Sequence, residues 1–282
     1  MPISTPDFDY IRGLVRERAA IALAEGKGYL TEARLGTLAR REGFGSLEDL
    51  IARARDERDR AGGLRDRVVE AMTTNESSFF RDVHPFGALR KVLLPELILR
   101  RASTRRIRIW SAACSSGQEP YSIAMILREH FSTALAGWDV KIVASDLSNQ
   151  MLDRARAGRY SQMEVNRGVP ATLLLKVFRK QGLEWQIDDE IRSMVEFRRV
   201  NLIEDWGDVG SMDIVFLRNA LIYFEAETRR LILDRMARVV EADGLLFLGG
   251  AETTLNCSDL YERRLVEQTI GYRPCLANRR KA

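Results

Sequence analysis

From residue 7 to about residue 72 apolar side chains recur at helical spacing: Phe8, Ile11, Leu14 and Val15, then Leu35 and Leu38, then Leu47, Leu50, Ile51 and Ala54. Gly26-Lys27-Gly28 and Gly43-Phe44-Gly45 interrupt that period. Thr31 and Ser46, each with an acidic residue soon after, stand where helix N-caps belong. A stretch dense in both charge signs runs from Arg53 to Asp66, Gly62-Gly63 relaxes the chain within it, and a last helical run spans Leu64 to Met72. The pattern predicts a small all-helical domain over residues 1–72, with the boundary near 73.

Beyond that point short β-rich runs alternate with helical segments over residues 73–282, the signature of a parallel α/β sheet. Ile107–Ser111 reads as a strand entering a turn, Ala112 to Gly117, and then a helix from Gln118 whose apolar face is Ile123, Ala124, Leu127 and Phe131. Pro120 is compatible only with the first turn of that helix. Val140 to Ser145 is a second strand ending at Asp146, Asp213–Leu217 a further buried strand, Glu227 to Val240 a long helix, and Gly244–Gly249 the next strand. Tyr261 to Glu267 and Gly271 to Leu276 are expected to close the sheet as an antiparallel pair. The alternation lapses over about 159–200, which reads as an inserted subdomain.

The 282 residues carry 44 Lys+Arg against 40 Asp+Glu, a balance of +4 too mild to indicate nucleic acid as a partner. Cys114, Cys257 and Cys275 lack CxxC spacing, and His84 and His130 complete no local zinc set, so no metal and a reducing compartment are expected. The N-terminus has no secretory pattern and no window is apolar enough to span a bilayer; a cytoplasmic protein without membrane insertion is the expectation.

Ligands of an open parallel sheet bind beyond the carboxyl ends of its strands. Four places qualify. Ser111–Gly117 is a small-residue turn that admits a ligand close to the backbone, yet it is not GxGxxG and Gln118-Glu119 follows at once. A carboxylate there repels a pyrophosphate and suits a sulfonium or ammonium, so a cationic adenosyl cofactor fits better than NAD. Asp146 ends the second strand, as a ribose-binding acid or as the N-cap of the helix near Ser148. Asn201 and the pair Arg218-Asn219 follow further strands, either as ligand contacts or as loop-forming side chains.

These places occur in order with two more strings around them: TTNESSFFRD at 73–82, IRIWSAACSSGQEPYSIAM at 107–125, ASDLS at 144–148, FRRVNL at 197–202, DIVFLRNALIYF at 213–224 and DGLLFLGGAE at 243–252. Over essentially its whole length the chain resembles the bacterial chemotaxis receptor methyltransferases, the CheR family. The resemblance implies a helical receptor-recognition domain followed by a Rossmann-like methyltransferase domain with an inserted subdomain. It implies a protein-glutamate O-methyltransferase that uses S-adenosylmethionine, releases S-adenosylhomocysteine and esterifies glutamates on the cytoplasmic helices of methyl-accepting receptors, recruited to their arrays. The positions matching the family's cofactor contacts are Asn75, Ser77, Arg81, Glu119, Asp146, Asn201, Leu202, Arg218 and Asn219. Arg81 and Tyr223 match positions expected to align the reacting groups. Arg53, Arg55 and Arg58 are expected to meet the acidic receptor helices, against a reading as a self-paired solvated face. Phe178–Trp185 lacks the glycine-rich loop of relatives that grip a receptor pentapeptide, so a pentapeptide-independent member is expected. Nothing suggests an obligate oligomer, and a monomer is the expectation. A cofactor-binding signalling adaptor and a methyltransferase for another substrate class are the alternatives.

Overall fold

Among the described residues, 3–57 and 62–275, the computed structural model places four helices ahead of residue 75: α1 (Thr5–Ala19), α2 (Gly28–Arg41), α3 (Leu47–Asp56) and α4 (Leu64–Met72). Their shared interior is the apolar set expected from the pattern, with Ile11, Val15, Leu35, Leu50, Ile51 and Val68 at 0% exposure. Each such side chain contributes roughly 1.5–3 kcal/mol on leaving water. Ser46 caps α3 by accepting the Asp49 N–H at 3.0 Å. Thr31 is not a cap: α2 already begins at Gly28, and the buried Thr31 hydroxyl donates back to the Lys27 carbonyl at 3.4 Å. Tyr223–Thr228 belongs to the same compact unit. There the Ala22 N–H donates to the Tyr223 carbonyl at 3.1 Å, Ile21 bridges Phe224 in antiparallel fashion, and Arg16 pairs with Glu225 at 2.9 Å.

The second unit is built on strands β1 (Arg106–Ala112), β2 (Asp139–Asp146), β3 (Arg159–Ser161), β4 (Phe178–Gln181), β5 (Glu184–Ile187), β6 (Val195–Arg199), β7 (Met212–Leu217), β8 (Val240–Leu248), β9 (Tyr261–Val266) and β10 (Thr269–Pro274). Seven form one sheet in the order β6-β2-β1-β7-β8-β10-β9, parallel from β6 to β8 and antiparallel thereafter. All of β7 and most of β1 are buried, which is why they read as unbroken apolar runs. The helices are α5 (His84–Ala88), a π-helical turn over Leu89–Leu93, α6 (Leu94–Arg100), α7 (Gln118–Phe131), α8 (Asn149–Ala157), α9 (Gln162–Asn166), α10 (Ala171–Val177), α11 (Asp189–Ser193) and α12 (Ala226–Val239). Pro95, early in α6, removes a donor and crowds the preceding turn, which accounts for the wider π register. At the amino rim of the sheet Arg101 forks onto Asp213 at 2.8 Å and both oxygens of Asp243 at 2.9 and 2.6 Å. That rim is closed by ion pairs; the carboxyl rim is where loops converge.

The final strand differs from its expected span, covering Thr269–Pro274 and lying between β8 and β9; Leu276 is outside the described residues. Within 159–200, β6 is the parallel edge strand of the main sheet, paired with β2 from Ile142↔Val195 to Asp146↔Arg199. It is the short strand expected ahead of Asn201, and Glu196 pairs with Lys141 and Arg198 along an edge that water reaches. The inserted sheet proper is β3-β5-β4, ending at Ile187. Tyr160 of β3, Phe178 of β4 and Phe79 meet edge to face, with Phe79 centroids 4.9 and 5.6 Å from the two partners. Beside them Gly168, at φ +123°, presses its backbone on Phe79, such that a Cβ would lie 2.0 Å from the Phe79 carbonyl oxygen. Arg167 pairs with Glu76 at 2.6 Å. The insertion thereby clamps the 76–79 stretch. Among the described residues no helix is long and apolar enough to cross a membrane.

Gly168→Ala is expected to cost about 2 kcal/mol or more, from both the clash and the backbone strain. Urea unfolding measures it; a variant as stable as the parent contradicts the close approach.

Candidate active site

In the order β6-β2-β1-β7-β8 the chain departs from β1 in one direction and from β7 in the other, so the switch point lies between these two strands. Glu119 follows β1 and Arg218 follows β7. They meet across the switch point, Arg218 Nη1 to Glu119 Oε2 at 2.9 Å. The other Glu119 oxygen accepts the Ser111 hydroxyl at 2.8 Å.

The turn after β1 takes left-handed backbone at Ala113, Ser115 and Gly117, with φ of 56°, 50° and 91°. Gly117 is required for space as well as dihedral, since a Cβ would come 2.9 Å from the Cβ of Ala155. The curl aims the Ser115 N–H at Asp146 Oδ2, 2.8 Å away, while Asp146 Oδ1 accepts the Ser148 N–H at 2.9 Å. The cap of α8 is Ser148, whose Oγ accepts from Met151, so Asp146 ties the two turns together instead of capping the helix. Cys114 in the same turn is buried; burial pushes its thiol well up and the charges of Asp146 and Glu119 push the same way. Cys114 is a protonated packing residue.

Arg218 has a side chain only 2% exposed. Besides Glu119 it donates to the Arg81 carbonyl at 3.0 Å and to Asp82 Oδ2 at 2.5 Å, and its guanidinium lies over the Phe86 ring at 5.8 Å. This buried fork holds an uncommon backbone: Phe80, Asp82 and Val83 have φ of 49°, 63° and 45°. Left-handed backbone is unfavourable for all three and worst for β-branched Val83. The Ser122 hydroxyl accepts the Phe80 N–H at 2.9 Å and helps fix the bend. On it Arg81 is half-buried and donates to the Glu76 carbonyl at 3.0 Å. Asn75 contributes its carbonyl to the Ser115 hydroxyl at 3.0 Å, and Ser77 lies half-buried in the same stretch.

The remaining expected positions are placed as follows. Asn201 is buried and donates through Nδ2 to Glu204 at 2.8 Å; Leu202 is buried and its carbonyl accepts the Trp206 indole N–H at 3.1 Å. Asn219 is left-handed at φ 58°, with its N–H on Glu252 at 2.8 Å. Tyr223 ends a 3-10 turn, Leu221–Tyr223, and groups with the helical unit. Arg53 and Arg55 are both exposed, and Arg55 also contacts Asp7 at 2.9 Å, the Pro6 carbonyl and the face of Tyr10 within the helical unit. Arg58 lies outside the described residues. Sequence reasoning gave no individual role to Ser111 and Ser115, which lie in the turn it singled out, or to Asp82 and Glu252, the acids that close TTNESSFFRD and DGLLFLGGAE.

Two outcomes follow. At pH 8, Cys257 and Cys275 of the folded protein are expected to react with iodoacetamide before Cys114, which should require unfolding; peptide mass spectrometry reads the order, and early labelling of Cys114 contradicts it. Arg218→Met strands Glu119 in the interior and is expected to cost about 3 kcal/mol in urea unfolding, whereas parent-like stability contradicts the tie.

Residues 75–269 match the family model described as CheR methyltransferase, SAM binding domain, and residues 6–73 match CheR methyltransferase, all-alpha domain. Chemotaxis protein methyltransferase 1 of Pseudomonas aeruginosa is 43% identical over 278 residues, covering 97% of this chain and 99% of that protein. Chemotaxis protein methyltransferase Cher2 of Pseudomonas putida is 41% identical, covering 91% and 93% respectively, and chemotaxis protein methyltransferase 1 of Vibrio cholerae is 38% identical, covering 92% and 94%. The cofactor of such a domain, S-adenosylmethionine, suits the donor set of this rim. Two carboxylates at this rim, Glu119 and Asp146, would attract a positively charged sulfur compound and would repel a pyrophosphate. With both domain models matched along the chain and the acidic switch point in place, this protein belongs to the CheR methyltransferase family.

Proposed function

We propose that the chain methylates glutamate side chains on chemotaxis receptors, giving glutamyl methyl esters. The observation that carries this reading is the acid pair Glu119 and Asp146 at the switch point of a chain that follows the CheR pattern through both domains. The names of the relatives supply the chemotaxis context.

When bound, S-adenosylmethionine supplies a methyl group on a positively charged sulfur, which a carboxylate displaces directly while the sulfur keeps the electron pair. A glutamate with a pKa of roughly 4.3 is ionised at neutral pH, so no general base is needed. Neither His84 nor His130 is assigned a role. What the protein must supply is alignment and a dry approach, on the order of 7–11 kcal/mol when well arranged. We assign the ribose diol to Asp146, the adenine edge to Asn201 and Leu202, and the cationic methionine portion to Glu119, with Asn75, Ser77 and Asn219 completing the cofactor set. Arg218 serves this set by holding Glu119 and the Arg81 bend in place. Arg81 presents a carboxylate-binding fork, and Tyr223 aligns the nucleophile with the sulfonium. Arg53 and Arg58 are assigned to the acidic receptor helices; Arg55, although exposed, is better read as a brace of the helical unit. The same reading makes the chain a monomer that acts at receptor arrays without a pentapeptide tether.

The roles are tested with Arg81→Ala and Tyr223→Phe, assayed for transfer of labelled methyl to receptor-containing membranes. Each is expected to lower kcat at least tenfold, about 1.4 kcal/mol of transition-state stabilisation, while calorimetry still detects cofactor binding. Full activity in both contradicts the assignment. Cofactor binding by the parent without any transfer would favour a signalling adaptor.

A further inference from the structure

The chain between Leu217 and Tyr223 leaves a central strand, turns through left-handed Asn219 and enters a 3-10 turn. Such a stretch has backbone donors with no ladder to receive them, because the β7·β8 pairing ends at Leu217↔Leu248. The side chain of Glu252 takes them instead. Its Oε2 accepts the Asn219 N–H at 2.8 Å and the Gly249 N–H at 2.7 Å, the donors just past the ends of the two adjacent strands. Its Oε1 accepts the Ile222 N–H at 3.2 Å, one residue before Tyr223. The Glu252 N–H closes its own turn on the Gly249 carbonyl at 2.9 Å. One carboxylate thus replaces the missing ladder and reaches both ends of the loop.

The surroundings leave no slack for this arrangement. A Cβ on Gly249 would meet Asn219 Nδ2 at 2.7 Å, the Asn219 backbone nitrogen at 2.8 Å and Glu252 Oε2 at 2.8 Å. Gly249 therefore has to be glycine for the carboxylate to sit where it does. A carboxylate accepts at all of its oxygens, whereas the glutamine amide offers one accepting oxygen and one donating nitrogen, which cannot face N–H groups on both sides. Charge and shape are both used.

We propose that Glu252 is a positioning residue for methyl transfer, fixing the Arg218–Ile222 loop, with Asn219 in it, and the backbone that leads into Tyr223. It acts through the backbone donors it receives. The inference rests on the role assigned to Tyr223 above, and its test separates the two.

Glu252→Gln, Tyr223→Phe and the double variant are compared with the parent for kcat, for KM of receptor and of cofactor, and for thermal unfolding. Glu252→Gln is expected to lower kcat about tenfold with KM for the receptor within about threefold, and the double variant to lose little more than Tyr223→Phe alone, since a loosened loop harms only what it positions. Full kcat in Glu252→Gln, a defect confined to the melting temperature, or additive losses in the double variant would each overturn the proposal. If Glu252→Gln does not fold, Gly249→Ala replaces it; the same kcat loss is expected, and parent-like kcat overturns the proposal equally. An inactive parent defeats the functional reading itself, and a fully active Tyr223→Phe defeats the assignment on which this one depends.

Discussion

The Arg218 guanidinium, buried to 2% exposure, carries the architecture of the candidate site. Its charge needs partners in the interior, and the partners available are Glu119 from the loop after β1, Asp82 and the Arg81 carbonyl. Satisfying one cation therefore fixes two functional elements at once: an acid facing the switch point, and the bend that carries Arg81. Removing a single member of such a group is costlier than never having built it, because the others stay behind desolvated. This constraint explains why a left-handed backbone at Phe80, Asp82 and Val83 persists there.

Around that tie the same solution recurs. Backbone donors left over where strands end are received by side-chain carboxylates: Asp146 takes the Ser115 and Ser148 N–H groups, and Glu252 takes those of Asn219, Ile222 and Gly249. The loops after β1 and β7 are thereby each held by a carboxylate from the loop end of a neighbouring strand. Charge-assisted bonds of this kind are shorter and stronger than neutral ones, which suits a reaction whose catalysis consists of alignment and not of proton transfer. The insertion adds its own brace, with Gly168 and Tyr160 packed on the chain just ahead of Arg81 and the Tyr160 hydroxyl on the Ser116 carbonyl at 2.7 Å.

Much of this was legible in the order of residues. Periodicity located the helical domain and the central strands because buried β7 and β1 are apolar throughout, and the small-residue turn followed by Glu119 pointed to a cationic ligand. The short strand expected ahead of Asn201 is β6, but with Glu196 and Arg198 paired along its side, periodicity alone could not assign it to the main sheet instead of the insertion. The Thr31 cap failed because a hydroxyl inside a helix can bond backward just as well as cap forward. The function of Arg218 as a brace, and the left-handed bend it holds, depend on residues 99 to 137 positions apart and have no local trace. Arg55 illustrates the converse: in the sequence it belongs to a basic run, yet its nearest demands are Asp7 and the ring of Tyr10.

The most direct test of the central claim is mass spectrometry of a receptor cytoplasmic fragment after incubation with this protein and S-adenosylmethionine. The account predicts base-labile methyl esters on glutamate side chains, in amounts that depend on the protein and on the cofactor. Methyl groups on any other atom, or an unmodified receptor beside an enzyme that demonstrably binds the cofactor, would contradict it.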